Sequence, residues 1–150
     1  MNKKIFAFLI VLIAVFTVAG VSAQDFVSHD FGQFKMDVPD AQNGEIAEQQ
    51  GGISVNHTIY AIPNPDGSLF AYLDYLNTTH TNGNNNTTDF ALNLIKENNT
   101  VSVEEGIPTW IYEGTTDHGY LVSSEDDTQV LIVQSSDVNI KEAINSVEFK

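Results

Sequence analysis

The stretch ISVNHTIYAIPNPDGSLFAYLDYL, residues 53–76, decides the fold class because two alternating segments flank a turn within it. Apolar side chains recur at every second position on both sides of PNPDG, which is the period of a β-strand. Pro65 presets the backbone torsion of a turn, and Gly67 tolerates a positive φ. The stretch therefore predicts an antiparallel hairpin. Since Ile59 and Tyr60 would lie on opposite faces, we expect the hairpin to sit mid-sheet, covered on both sides.

Short strands continue on both sides of this hairpin. Upstream, Phe34, Met36 and Val38 share one face of a strand that Pro39 ends. The polar residues 39–52 predict a connection between that strand and the hairpin. Downstream, alternation with turn residues at each junction predicts four more strands: VSVEE (101–105), TWIYEG (109–114), GYLVSS (119–124) and TQVLIVQS (128–135).

Two segments have the apolar spacing of a helix. Residues 89–98 follow a candidate cap at Thr88, and residues 136–147 begin at Ser136, with apolar side chains three and four positions apart in each. A run of strands with two helices is typical of the α+β class. We therefore expect a mostly antiparallel sheet of about six to eight strands with two helices packed on it.

The amino terminus predicts export. Lys3 and Lys4 precede an apolar run from Ile5 to Phe16, and small residues follow. This order is typical of a secretory signal peptide, with cleavage expected between Ala23 and Gln24. The alternative is a retained membrane anchor, although the run extended to Val21 is at the short limit for crossing a bilayer. Residues 1–23 are thus expected to be a leader and residues 24–150 a single domain, secreted or at the cell surface.

Composition excludes several classes of partner. Residues 24–150 contain four lysines against 20 acidic residues, a formal charge of −16, and no arginine. Such a surface repels nucleic acids and anionic membrane surfaces, and it lacks the bidentate fork that binds phosphates. The chain also contains no cysteine, so it forms no disulfide and carries no lipid-anchored cleavage product. We therefore expect the hydrophobic core, without disulfides, to stabilise the domain.

No stretch carries a recognisable catalytic or metal-binding motif. Ser28-His29-Asp30 has the residue types of a hydrolytic triad, but neighbours on a strand point to opposite faces and cannot meet. His57 is isolated in sequence, although the hairpin register could bring Asp74 opposite it. The turn at Glu125-Asp126-Asp127 suits divalent cations only weakly. We therefore predict no catalytic residue, no metal ligand and no cofactor.

The aromatic side chains and the many acids leave alternatives open. Core packing accounts for most of the aromatic residues, but a sugar-binding or apolar pocket could also use them: Tyr60, Tyr72, Tyr75, Trp110 and Tyr112. A pair of carboxylates for glycoside hydrolysis is compatible with 20 acidic residues but cannot be identified among them.

Asparagine sequons are concentrated around NTTHTNGNNNTT, residues 77–88. An exported chain meets glycosylation enzymes, and N-x-S/T is their acceptor pattern. The stretch is first of all a polar surface loop between the hairpin and a helix, and second a carrier of sugar. The candidate acceptors are Asn77, Asn85, Asn86, Asn98 and Asn56, of which Asn56 lies mid-strand and is the least suitable.

Both ends of the chain resemble one family. The segment from Phe31 to Pro39, FGQFKMDVP, resembles the opening strand of PsbP-like domains, and VLIVQSSD followed by a helix and Asn145–Phe149 resembles their close. The tryptophan that often follows the opening proline of that family is missing here. The resemblance implies an α/β sandwich with an accessory or binding role outside the cytoplasm. It transfers no active residue.

Together these features predict an exported, non-catalytic domain that binds a protein or a cell-wall polymer, with divalent cations as at most weak partners. The alternative is a secreted hydrolase or a small-ligand-binding protein whose site is assembled from distant carboxylates and aromatic residues. A groove with converging polar side chains would favour the alternative.

Overall fold

A computed structural model describes residues 24–42, 44–51, 57–81 and 83–150. The expected leader up to Ala23 and the sequon at Asn56 lie outside these residues. Ten strands are described: β1 Phe26–Asp30, β2 Phe34–Pro39, β3 Ala47–Gly51, β4 His57–Pro63, β5 Leu69–Asn77, β6 Ser102–Glu104, β7 Ile107–Ile111, β8 His118–Ser123, β9 Gln129–Ser135 and β10 Glu148–Phe149. The helices are α1 Thr87–Lys96 and α2 Ile140–Asn145, and Thr78–His80 forms a 3-10 turn.

The strands form two antiparallel sheets. The larger sheet has seven strands in the order β3-β4-β5-β9-β8-β7-β6, and the smaller has three in the order β1-β2-β10. The α+β class is confirmed, but the prediction of a single sheet was wrong. β2 pairs with β1 on one side and β10 on the other, and it has no ladder to the hairpin. The larger sheet, with seven strands, has the number of strands predicted for the single sheet, about six to eight.

The predicted hairpin is confirmed over residues 57–76, and its first residues, 53–56, lie outside the described part of the chain. β4 and β5 pair antiparallel, with Tyr60 opposite Leu73. The turn between them is closed by a hydrogen bond that Asn64 N donates to Ser68 O at 2.8 Å, and Gly67 has a φ of +84°. β5 is the third of seven strands, and its consecutive residues Phe70 to Leu73 are all buried, so both of its faces are covered as expected.

The main core lies between the two sheets. Phe34, Met36 and Val38 of β2 are buried against Ile62 and Leu73 of the hairpin. Helix α2 adds buried apolar side chains to the same cluster: Ile140, Ala143 and Ile144. The alternating apolar residues of β2 therefore lie on one face of the strand, as predicted, and this face is buried between the two sheets.

A second core lies on the opposite face of the larger sheet, where α1 packs. Ala91 and Ile95 of this helix contact a cluster that includes Leu121 and Trp110. The Trp110 indole lies across Gly119, where an added Cβ would be only 2.0 Å from Cε2. Only glycine fits at position 119, because any side chain there would clash with the indole ring.

Several element boundaries differ from the predictions. Helix α1 is capped by Asn86, whose Oδ1 accepts from Asp89 N at 2.8 Å, and not by Thr88. Helix α2 begins at Ile140 and not at Ser136, because the Asp137 carboxylate accepts from Asn139 N and holds a turn there. The connection 39–52 contains β3. This edge strand is exposed and polar, so its sequence lacks the alternation of a half-buried strand.

Within the part of the chain that the structure describes, no helix is both long and apolar enough to cross a membrane.

Candidate binding groove

A groove of about 520 Å³ opens between the two sheets beside β1. Its floor comes from Val38 of β2 and from Tyr60 and Ile62 of β4, and described residues between Asp40 and Glu48 close one end: Asp40, Ala41, Gly44, Glu45, Ile46 and Glu48. The Phe31 ring meets the Tyr60 ring edge-on, with centroids 4.9 Å apart, and forms an aromatic wall. The size lies within the usual range of ligand sites, and an apolar floor is typical of them.

The groove exists because β1 extends past the core. Val27 is opposite Val38 and His29 is opposite Met36, so the four side chains point to the same face of the smaller sheet. Val38 and Met36 are buried, whereas Val27 is 44% exposed. The larger sheet therefore covers β2 but leaves the inner face of β1 open.

Carboxylates surround this opening. Asp40, Glu45 and Glu48 contribute to its walls, and among the described residues no lysine forms an ion pair with any of the three. Burial raises the pKa of the Tyr60 hydroxyl, and the nearby charge of Glu48 raises it further. Asp30 is different, because Lys150 Nζ donates to both of its carboxylate oxygens, at 2.6 and 2.7 Å, and lowers its pKa.

Sequence patterns do not indicate these groove residues. The sequence assigned no role to Val27, and Asp40, Glu45 and Glu48 fell in the predicted connection 39–52. The only available signal was a run of acids around Ile46 without a lysine, between Lys35 and Lys96. Because the groove combines the edges of two separate sheets, no local spacing could have identified it.

His57, which is buried, and Asp74, which is partly exposed, form a pair on the other face of the larger sheet. The His57 Nδ1 lies 2.5 Å from Asp74 Oδ1. Sequence reasoning brought these residues together, but Asp74 is opposite Ile59, so the imidazole reaches it diagonally. Burial lowers the pKa of His57, yet the hydrogen bond and charge of Asp74 outweigh burial, and the pKa ends above its ordinary value.

This pair could orient a general base, as a carboxylate does for a catalytic histidine. However, His57 Nε2 is buried and has no hydrogen-bond partner among the described residues. His80, on the 3-10 turn, accepts from Asn77 N at 2.9 Å. Burial lowers the pKa of His80, and the charge of His57 lowers it further. Among the described residues no hydroxyl contacts His57 Nε2, and the arrangement supports a structural pair.

The other candidates from the sequence have ordinary structural roles. Ser28, His29 and Asp30 follow one another on β1, so the serine and histidine side chains leave opposite faces. Asp126 accepts from the Thr128 and Ser124 hydroxyls within its turn, and these bonds lower its pKa to about 2. No group of three metal-binding side chains occurs among the described residues.

The aromatic residues mostly form the core. Trp110 and Tyr112 pack edge-on with ring centroids 5.9 Å apart, and burial raises the pKa of Tyr112. Tyr72 and Tyr75 are also buried. Of the five aromatic residues named in the sequence, Tyr60 is the one that lines the groove.

The sequons differ in how their polar groups are used. Asn77 Oδ1 accepts from the Thr79 amide and hydroxyl, and Asn86 caps α1. Asn85 is exposed, but the hydroxyl of its sequon threonine, Thr87, is buried and donates to Thr128 O. In the remaining described sequon, Asn98 and Thr100 are both exposed.

We expect a transferase that acts on the folded chain to modify Asn98 and to leave Asn86 bare, because the Asn86 side chain would have to give up its helix cap. Peptide mass spectrometry of the protein from its native source measures both sites. Thr100→Ala removes the Asn98 acceptor and serves as the control. Sugar on Asn86 with Asn98 unmodified would contradict this expectation.

A scan against protein-family models, a search of curated proteins and a search of solved structures found no match to this chain.

Proposed function

We propose that the protein is an exported, non-catalytic binding domain that takes a positively charged segment of another surface protein into the groove. One observation carries the proposal: a groove with an apolar floor whose surrounding carboxylates, Asp40, Glu45 and Glu48, form no ion pair with any lysine of the described residues. Uncompensated charge of one sign around an opening attracts the opposite sign and raises the rate of association. A partner with lysine or arginine would supply what the groove lacks.

The charge of the whole chain supports the same partner. Only four lysines oppose 20 acidic residues after residue 23. The leader-like amino terminus supports a site of action outside the cytoplasm, released or at the cell surface. The layered arrangement of two sheets and two helices supports a PsbP-like sandwich, for which accessory and binding roles are the expectation. A cell-wall polymer that carries amines has the same positive charge as a basic segment, and the test below distinguishes the two partners.

The secreted hydrolase remains the alternative function. The His57–Asp74 pair is the part of the molecule that such an enzyme would use. For catalysis, however, His57 Nε2 would have to reach solvent, and it is buried. The groove has carboxylates on its walls, as this alternative requires, but among the described residues none of them contacts a histidine as Asp74 contacts His57. Binding is therefore the function that the geometry supports best.

Replacing Glu45 and Glu48 together with glutamine is expected to weaken binding of a lysine-rich peptide about three- to tenfold, because each exposed ion pair contributes about 0.2–1 kcal/mol. Isothermal titration calorimetry at low and high salt measures the change, and added salt should reduce binding by the unmodified protein.

The matched control is E113Q/E125Q, which removes the same charge from two exposed turn positions away from the groove. Equal losses in both double variants would attribute binding to net charge and contradict the groove. Binding of an amine-bearing wall polymer but no peptide would redirect the partner class.

A further inference from the structure

We propose that the partner segment binds as an extended β-strand that pairs with the free edge of β1 and becomes a fourth strand of the smaller sheet. This inference rests on the proposed function. It adds that the ligand is extended and that its backbone forms hydrogen bonds with the edge of β1.

The edge of β1 is open. Its five residues, Phe26–Asp30, pair with β2 on one side, and no described strand pairs with the other. Every second residue of such an edge presents an unpaired N–H and C=O, which together form a template for another strand. Residues 27–30 are all exposed, so no described segment covers this edge and a ligand strand could reach it from the groove.

The position of β1 distinguishes it from the other edges. Strands β6 and β10 have three and two residues, which gives a ligand little ladder to extend. β3 has five, but a strand added beyond β3 would lie further from Tyr60 and Ile62 than β3 itself does. A strand added to β1 instead occupies the layer that faces Tyr60 and Ile62 across the groove.

The dimensions suit one strand. A neighbouring strand lies about 4.8 Å from β1, packed sheets lie about 10 Å apart, and five residues span about 17 Å. Inward side chains of the ligand would continue the row of Val27 and His29, and they would lie over Ile46 and Ile62. Lysine or arginine stems can cover such apolar surface while their charged ends reach Glu45 and Glu48. The structure thus indicates an extended basic segment with apolar side chains interspersed.

The experiment uses synthetic peptides and the full chain. The probe is a peptide in which lysine alternates with valine, and two derivatives carry N-methyl groups on alternate residues, each set blocking one edge of the peptide. We expect one derivative to bind about tenfold more weakly and the other to bind like the parent, since a strand uses only one edge for a single ladder. Hydrogen exchange should slow at β1 amides and stay unchanged at β3 and β6.

A pair of matched protein variants tests the same edge. Val27 on β1 and Val103 on β6 are both exposed valines on edge strands, 44% and 67% exposed. V27K should weaken peptide binding about tenfold, because a cation would then stand in the groove. V103K should leave it unchanged, and circular dichroism checks that both variants fold.

The possible failures are distinguishable. If the parent peptide binds but both N-methylated derivatives bind equally well and β1 exchange does not change, strand addition is wrong and the cationic groove stands. If no lysine-containing peptide binds, the proposed function fails. Sedimentation that reveals a dimer with β1 already protected would assign the edge to a second copy and overturn the inference.

Discussion

Phe34→Ala is expected to lower the free energy of unfolding by about 4 kcal/mol, the largest loss that we predict for a single substitution. Phe34 is fully buried in β2. Its ring stacks on Phe31 and on Tyr75, with centroids 4.6 and 5.6 Å away, and so joins the smaller sheet to the larger one. Removing the ring leaves a cavity between the layers, and the aromatic contacts are lost as well.

Equilibrium unfolding in urea, followed by circular dichroism, measures this loss. Phe34→Leu keeps most of the volume and should cost less than about 1.5 kcal/mol. Ile111→Ala is the surface control, since Ile111 is 60% exposed and should change stability by less than about 0.5 kcal/mol. A Phe34→Ala protein as stable as the Ile111→Ala protein would contradict the packing of the two sheets.

Asp74→Asn is expected to destabilise the protein by about 2–3 kcal/mol near pH 5 and by less near pH 9, because the buried His57 loses its charged hydrogen-bond partner. The side chains of His57 and Asp74 are 11% and 24% exposed. Asp74 raises the pKa of His57 above 6.5, so the pair's contribution is fully present below that pH. It is lost as pH rises through the raised pKa. In the variant the charge of Asp74 is gone, and burial lowers the pKa of His57. Protonating the buried imidazole at low pH then destabilises the folded variant.

Unfolding at several pH values measures this difference. His29→Gln is the control, because His29 is exposed and contacts no carboxylate among the described residues, so its replacement should cost little at any pH. A loss of stability in Asp74→Asn that grows with rising pH would have the wrong sign for a protonated His57 and would reject the pair as described.

The sequence predicted the elements whose burial follows a simple period. The hairpin was correct because Pro65-Asp66-Gly67 fixes its turn and apolar alternation fixes its faces. Seven predicted strands and both helices correspond to elements of the structure. Helix ends were less accurate, because side chains such as Asn86 and Asp137 compete for the first amides of a helix.

The two-sheet arrangement and the groove could not be predicted in the same way. β1 and β3 are exposed edge strands, and an exposed strand needs no apolar alternation. Which sheet β2 joins depends on its pairing with β10 more than 100 residues away, which no local pattern encodes. The groove follows from these long-range choices. His57 and Asp74 were an exception, since both lie on one hairpin whose register the sequence restricts.

The ring over Gly119 gives the molecule a built-in optical probe. Trp110 is the only tryptophan in the chain, and it is 2% exposed on the face of the larger sheet opposite the groove. Its fluorescence should therefore be that of an indole shielded from water and should shift to the red when the α1 layer separates. Ligands that enter between the sheets should leave the emission unchanged, so one spectrum can separate unfolding from occupancy without any label.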